Sequence, residues 1–233
     1  MDLINSPQTL DIIVTGYKHS GVDHLHKTIN QLTAYRSPVT SDNHTPNITC
    51  CQGYLPSQYP RLHINPSSKI VFIVRNPKDT AVAMYKSSGV ESSTEFSEFL
   101  YSFIFGESDE KWSDHTRQWE NVLSQHSTSN LHLVYFDDLI QNFEHEVSRL
   151  CKFFDIQKSS IQISEMCSLL RKEAEQPQPK RRKTEHSVNG HRETFYDTGM
   201  WKNQFTVNLQ EQFDSAILDI LKDSKLDLHK LLG

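Results

Sequence analysis

Residues 70–74 read IVFIV, five consecutive apolar side chains with no polar alternation, and Arg75, Asn76 and Pro77 follow at once. A strand that is polar on neither face is covered on both, which is the place of a central strand in a parallel sheet. Asn76 and Pro77 then open a helix. A second stretch, LDIIVTGYKHSGVDHLHKTINQL, has the same grammar: residues 10–15 form a short, largely apolar and β-branched run, and Val22, Leu25, Ile29 and Leu32 follow at helical spacing. It predicts strand, tight loop, helix. A third strand is expected from LHLVYF at 131–136, followed by DDLIQNFEHEVSRLCKFFDI, one amphipathic helix with Val147, Leu150, Cys151 and Phe154 on one face. Strands that alternate with helical patterns over crossover-length connections imply an α/β fold, a single domain over 1–233 with a central parallel sheet flanked by helices.

The rest of the chain fills in around that frame. Residues 34–68 are rich in Pro, Ser, Thr and Asn and read as mostly loop, a region fit to carry a site. Phe96, Phe99, Leu100 and Phe103, then Trp112, His115 and Trp119, predict two helices separated by the polar turn GESDEK. His115, between two tryptophans at helical spacing, reads as a core histidine. After Leu170 the strong apolar residues vanish, so 171–194 reads as a surface loop. One closing helix is expected over about 209–221.

Composition excludes several classes of function. With 24 basic against 29 acidic residues the net charge is −5, which argues against a surface built to neutralise nucleic acid or an anionic membrane. No run approaches the eighteen or so apolar residues of a membrane span, and the opening MDLINSPQTLDII is unlike a secretory signal. A cytoplasmic protein is expected. Cys50, Cys51, Cys151 and Cys167 have no paired spacing and read as free thiols, and no His and carboxylate spacing predicts a metal site. In that compartment the acceptor pattern Asn47, Ile48, Thr49 carries no glycan. The run PKRRK at 179–183, with Lys180, Arg181, Arg182 and Lys183, fits a short nuclear-entry signal, an anion-binding patch or a solvated loop.

Gly16 and Gly21 have the G-x-x-x-x-G spacing of a phosphate loop, but Val22 and Asp23 stand where a nucleotide triphosphatase needs Lys and a hydroxyl for Mg²⁺. A P-loop kinase or GTPase is thereby disfavoured. Backbone N–H groups at this helix start remain able to cradle an anion.

Five ordered blocks, GYKHSGVDHL, KIVFIVRNPKDTAVAMYK, WSDHTRQW, LVYFDDLIQNFEHEVSRLCKFFD and WKNQFTVNLQEQFD, together resemble the cytosolic sulfotransferases and cover most of residues 10–220. The resemblance implies a P-loop-like sulfotransferase fold and transfer of a sulfonyl group from 3′-phosphoadenosine 5′-phosphosulfate, as co-substrate, to a hydroxyl or amine of a small acceptor. It implies a 5′-phosphosulfate loop of Lys18, His19, Ser20, Gly21, Val22, Asp23 and His24, and a 3′-phosphate arginine at Arg75, with Ala83 where the family has a serine. Phe136 or Tyr135 is the expected adenine-facing aromatic, Cys167, Ser168 and Leu169 fall near the family's Thr-Ser-Phe, and Arg192 is a possible substitute for a lost Arg-Lys-Gly element. Lys202, Thr206, Val207 and Glu211 match the family's homodimer motif.

The departures are chemical. His19 occupies the position of the family's loop lysine, with Lys18 one residue earlier, so the cation has shifted or become an imidazole. Tyr54 occupies the position of the family's histidine base; a phenol of ordinary pKa about 10 is a poor base near neutrality, which favours packing or hydrogen bonding there. Asp23 either repels a bound phosphate, by on the order of 4 kcal/mol at 4 Å and an effective dielectric of 20, or favours the helix dipole. Two readings therefore stand: a sulfotransferase, or a non-catalytic member of the fold acting as a binding and dimerisation module.

Overall fold

The structure is a computed structural model and describes residues 11–34, 46–58, 68–88, 93–106, 111–125, 127–175 and 197–233. Four parallel strands, β1 (Asp11–Gly16), β2 (Asn47–Gln52), β3 (Lys69–Val74) and β4 (Leu131–Tyr135), form one sheet in the order β2-β1-β3-β4. In register, Gly16 lies opposite Gln52 on one side and Ile73 on the other, and Ile73 lies opposite Val134. The helices among the described residues are α1 (Val22–Ala34), α2 (Pro77–Ser87), α3 (Ser93–Phe105), α4 (Trp112–Gln125), α5 (Phe136–Gln141), α6 (Phe143–Phe153), α7 (Ser160–Glu175), α8 (Val207–Ile220) and α9 (Leu228–Leu232).

The apolar run at 70–74 is the inner strand its composition requires. Its side chains alternate between two cores: Ile70, Phe72 and Val74 pack with α2, α3, α4 and α8, whereas Val71 and Ile73 pack with α1, α5, α6 and α7. Burying the five, at roughly 1.5–3 kcal/mol each, anchors the middle of the sheet. His115 is a core residue as expected, fully buried beside Tyr17, Phe72 and Trp119, and burial pulls its pKa down to about 4. Its ring is neutral at neutral pH and serves packing.

Five expectations are corrected. The loop assigned to 34–68 contains β2, an edge strand whose NITCCQ sequence is mostly half-buried and lacks clean alternation. The single helix expected after the third strand is two, α5 and α6, broken at Asn142 (φ −118°, ψ 40°). Residues 171–175 continue α7 instead of opening the surface loop. Phe136, assigned to the third strand, is the first residue of α5. The closing helix is two, because Asp227 caps a further turn, α9, by accepting from Lys230 N. No disulfide joins any of the four cysteines.

Candidate functional site

In the order β2-β1-β3-β4, the chain leaves β1 for β2 on one side and crosses to β3 on the other. That reversal opens a crevice at the C-terminal ends of β1 and β3, the place where open parallel sheets bind ligands. Gly16 makes the strands' close approach possible, since a Cβ there would lie 2.5 Å from the Ile73 carbonyl oxygen. The loop that follows turns by Ser20 N–H donating to the Tyr17 carbonyl (3.2 Å), with His19 and Gly21 at φ +60° and +85°. Leu25 N–H donates to the Gly21 carbonyl, so Gly21 starts α1 and the helix's unsatisfied N–H groups face the crevice end. Ser20 is fully buried, and its Oγ has no hydrogen-bond partner among the described residues. A buried hydroxyl left so is a costly feature that a bound polar group relieves.

The other loop residues divide sharply by direction. Lys18 lies along Gly53, its Cγ 2.8 Å from where a Cβ of Gly53 would sit, which brings the lysine stem beside the segment that carries Tyr54. Tyr54 is 52% exposed, and its carbonyl accepts from Trp119 Nε1 (3.0 Å). His19 Nε2 lies 3.4 Å from Ser87 Oγ at the end of α2; burial, then Arg75, then Lys18 lower its pKa below the ordinary imidazole value. Val22 points into the core and is fully buried, so its side chain lines no cleft. Asp23 is exposed in the first turn of α1, and its charge, after burial, helps raise the Cys50 thiol pKa. His24 packs near Phe143, centroids 6.0 Å apart, and burial followed by Lys27 lowers its pKa.

Arg75 is held in a specific way. Its side chain is buried at the end of β3, Nη1 donating to the His19 carbonyl (2.8 Å) and Nη2 to the Asp197 carbonyl (2.9 Å), with the guanidinium 4.3 Å from the Phe136 ring centroid. Burial lowers its pKa, while Asp79, Asp137 and Asp197 favour the charged form. Phe136, the expected adenine platform, is itself fully buried between Arg75 and Gly21 and presents no open face. Tyr135 accepts a hydrogen bond from Asp227 N–H at its hydroxyl (2.9 Å) and has Lys230 over its ring. Ala83 is buried within α2. Arg192 and the basic residues 180–183 lie outside the described residues.

The residues next to Arg75 show what sequence reasoning missed. Asn76 caps α2 and donates from Nδ2 to the Leu232 carbonyl (3.1 Å); Lys78 pairs with Asp214 (3.0 Å) and lies 3.9 Å from the Trp201 ring centroid. Asp79 accepts from Gly199 N–H (2.7 Å) and Trp201 N–H (2.9 Å). Arg75, Asn76, Lys78 and Asp79 thus form a clasp that binds the C-terminal segment to the β3–α2 corner. Among the described residues no group of three or more His, Cys, Asp or Glu is placed to hold a metal, and no helix is long and apolar enough to cross a membrane.

A four-stranded parallel sheet with a glycine loop at its switch point and a buried arginine at the next strand end defines a P-loop-like α/β class of protein. The sulfotransferase domain model matches residues 53–225, nearly three quarters of the chain, and the chain belongs to that family. The match begins at Gly53, beyond the β1–α1 loop. Cytosolic sulfotransferase 1 of Danio rerio is 27% identical over 198 residues, covering 79% of this chain, and the chain spans 64% of that relative's length. Sulfotransferase 1E1 of Bos taurus is 24% identical, covering 90% of this chain and 71% of the relative. Among solved structures, mouse sulfotransferase SULT7A1 complexed with PAP superposes with a TM-score of 0.70 at 20% identity, over 92% of this chain and 85% of that one. Retinol dehydratase in a complex with retinol and PAP gives 0.67 at 16%, over 95% and 84%.

Proposed function

We propose that this chain binds 3′-phosphoadenosine 5′-phosphosulfate as co-substrate and transfers its sulfonyl group to a hydroxyl or amine of a small acceptor, in the cytoplasm. The buried, unpartnered Ser20 Oγ at the switch-point loop carries the reading, because it marks the one place in this loop where the fold leaves a polar demand for a ligand. Neighbours of the same fold that contain PAP support it. Bound there, the nucleotide supplies an activated sulfonyl group. The N–H groups at the start of α1 would hold the 5′-phosphosulfate, Lys18 and His19 would offset its charge, and Arg75 would meet the 3′-phosphate. Tyr54 stands in the base position.

A second reading, a non-catalytic module, is favoured by one observation: both Arg75 terminal nitrogens already serve main-chain carbonyls. Calorimetry separates a phosphate clamp from a loop tether. If Arg75 meets the 3′-phosphate, the wild type binds adenosine 3′,5′-bisphosphate at least about tenfold more tightly than adenosine 5′-phosphate, as a charge-assisted pair is worth. Arg75→Ala then erases the preference. If the arginine only tethers the loop, the substitution weakens both nucleotides equally. With a labelled donor, Tyr54→His combined with His19→Lys is expected to raise turnover above wild type, and no rise would favour the non-catalytic module.

The homodimer is likewise a proposal. Val207 is 73% exposed at the start of α8, Lys202 and Glu211 are exposed near it, and Thr206 caps the helix by accepting from Leu209 N–H (3.3 Å). Because Val207 makes little of the monomer's core, Val207→Glu is expected to shift sedimentation from dimer to monomer while leaving thermal stability nearly unchanged. A wild type that sediments as a monomer at tens of micromolar protein removes this interface.

A further inference from the structure

We propose that the β1–α1 loop binds its phosphate dianion together with a proton, taken up at His19, so that this chain grips nucleotide more tightly in mildly acidic than in alkaline solution. The proposal rests on the nucleotide-binding reading above and adds to that site a chemistry a lysine at this position lacks.

The geometry makes His19 the responsive group. Its backbone is in the left-handed region (φ +60°), its carbonyl is fixed by Arg75 Nη1, and its ring nitrogen is 3.4 Å from Ser87 Oγ, so the imidazole is wedged between the loop and α2. The groups around it are Lys18 from the loop, Arg75 from the end of β3 and the uncharged Ser87 from α2; Asp197 of the C-terminal segment meets Arg75 through its carbonyl. Asp79 and Asp137 act on Arg75. Next in the chain is Ser20, whose buried Oγ has no partner among the described residues and points independently to a ligand at this loop.

In the free loop, burial, then Arg75, then Lys18 disfavour the imidazolium form. A phosphate dianion placed among the loop N–H groups reverses that field and favours imidazolium. Linkage then requires that anion and proton bind together. The sign follows: between the lower proton affinity of the free loop and the higher one of the complex, each unit fall in pH strengthens binding by up to about tenfold. Outside that window the affinity is flat, until the ligand's own phosphate protonation near about pH 6 weakens it again. A lysine is charged before and after binding and takes up nothing.

The test uses the full chain and adenosine 3′,5′-bisphosphate, titrated calorimetrically at about pH 7.5 in two buffers of different ionisation enthalpy, and again from about pH 8 to about 6.5. Expected for the wild type are net proton uptake and a several-fold gain in affinity across the range. His19→Lys is expected to bind with no uptake and a flat profile, and the wild-type imidazole NMR resonance of His19 to titrate at higher pH in the complex than in the free protein. Wild-type binding without uptake, or equal uptake by His19→Lys, overturns the proton coupling and leaves the nucleotide site standing. Failure of both proteins to bind at about pH 6.5 overturns both.

Discussion

Asp79→Ala is expected to destabilise the protein by about 3–5 kcal/mol, a large share of the roughly 5–15 kcal/mol that holds a typical domain together. Its carboxylate is 1% exposed and accepts the N–H groups of both Gly199 and Trp201. Hydrogen bonds to a charged acceptor contribute about 1.5–3 kcal/mol each, and their loss leaves donors without water to replace the partner. The carboxylate also sits in the first turn of α2, where negative charge is favoured, and helps keep Arg75 charged. At about 2–4 °C per kcal/mol for a chain of this size, thermal unfolding should fall by roughly 10 °C. Asp79→Asn keeps the shape and one acceptor oxygen and should lose about half as much. A melt of Asp79→Ala within a degree or two of wild type would show that the clasp is incidental.

The clasp also explains which parts of this molecule were legible in its sequence. β3 was readable because a strand covered on both faces is apolar along its length, and 70–74 has no other way to be buried; β1 was readable from its run of Ile12, Ile13 and Val14 before the glycine loop. β2 was not, because it pairs with β1 alone, its side chains are mostly half-buried, and neither alternation nor a solid apolar run is required of it. The break at Asn142 escaped for a related reason: apolar residues on both sides of it serve one core, so the apolar spacing continues across it.

At the site, glycine spacing located the loop and its helix correctly, since tight turns constrain only neighbours in the chain. The partners of the RNPKD letters were invisible. Arg75 reaches His19 and Asp197, Asn76 reaches Leu232, Lys78 reaches Asp214, and Asp79 reaches Gly199 and Trp201, up to 156 residues away. No local pattern encodes such pairings. The resemblance implies a phosphate contact for Arg75, and Asn76 and Pro77 read as a helix start, but neither reading points to the C-terminal segment. The direction of Val22 into the core was within reach, because it begins the apolar spacing continued by Leu25, Ile29 and Leu32 and cannot serve both faces of α1.

Gly21→Val tests the loop itself and should cost both stability and nucleotide binding. Gly21 sits at φ +85°, and a Cβ there would lie 2.6 Å from Cδ2 and Cε2 of Phe136. The aromatic ring has nowhere to retreat, because it is fully buried and stacked on Arg75, which is tied to the His19 and Asp197 carbonyls. The backbone conformation alone costs a branched residue about 1–2 kcal/mol, and the overpacking about 1–3 kcal/mol more. The side chain's push is transmitted through Phe136 to Arg75 and so to the loop carbonyl it fixes, which is why affinity for adenosine 3′,5′-bisphosphate should fall along with the melting temperature. Phe136→Leu, combined with Gly21→Val, relieves the clash and leaves the φ penalty. A double-mutant cycle is therefore expected to return a favourable coupling of about 1–2 kcal/mol, and strictly additive losses would mean that the glycine is required for its backbone alone.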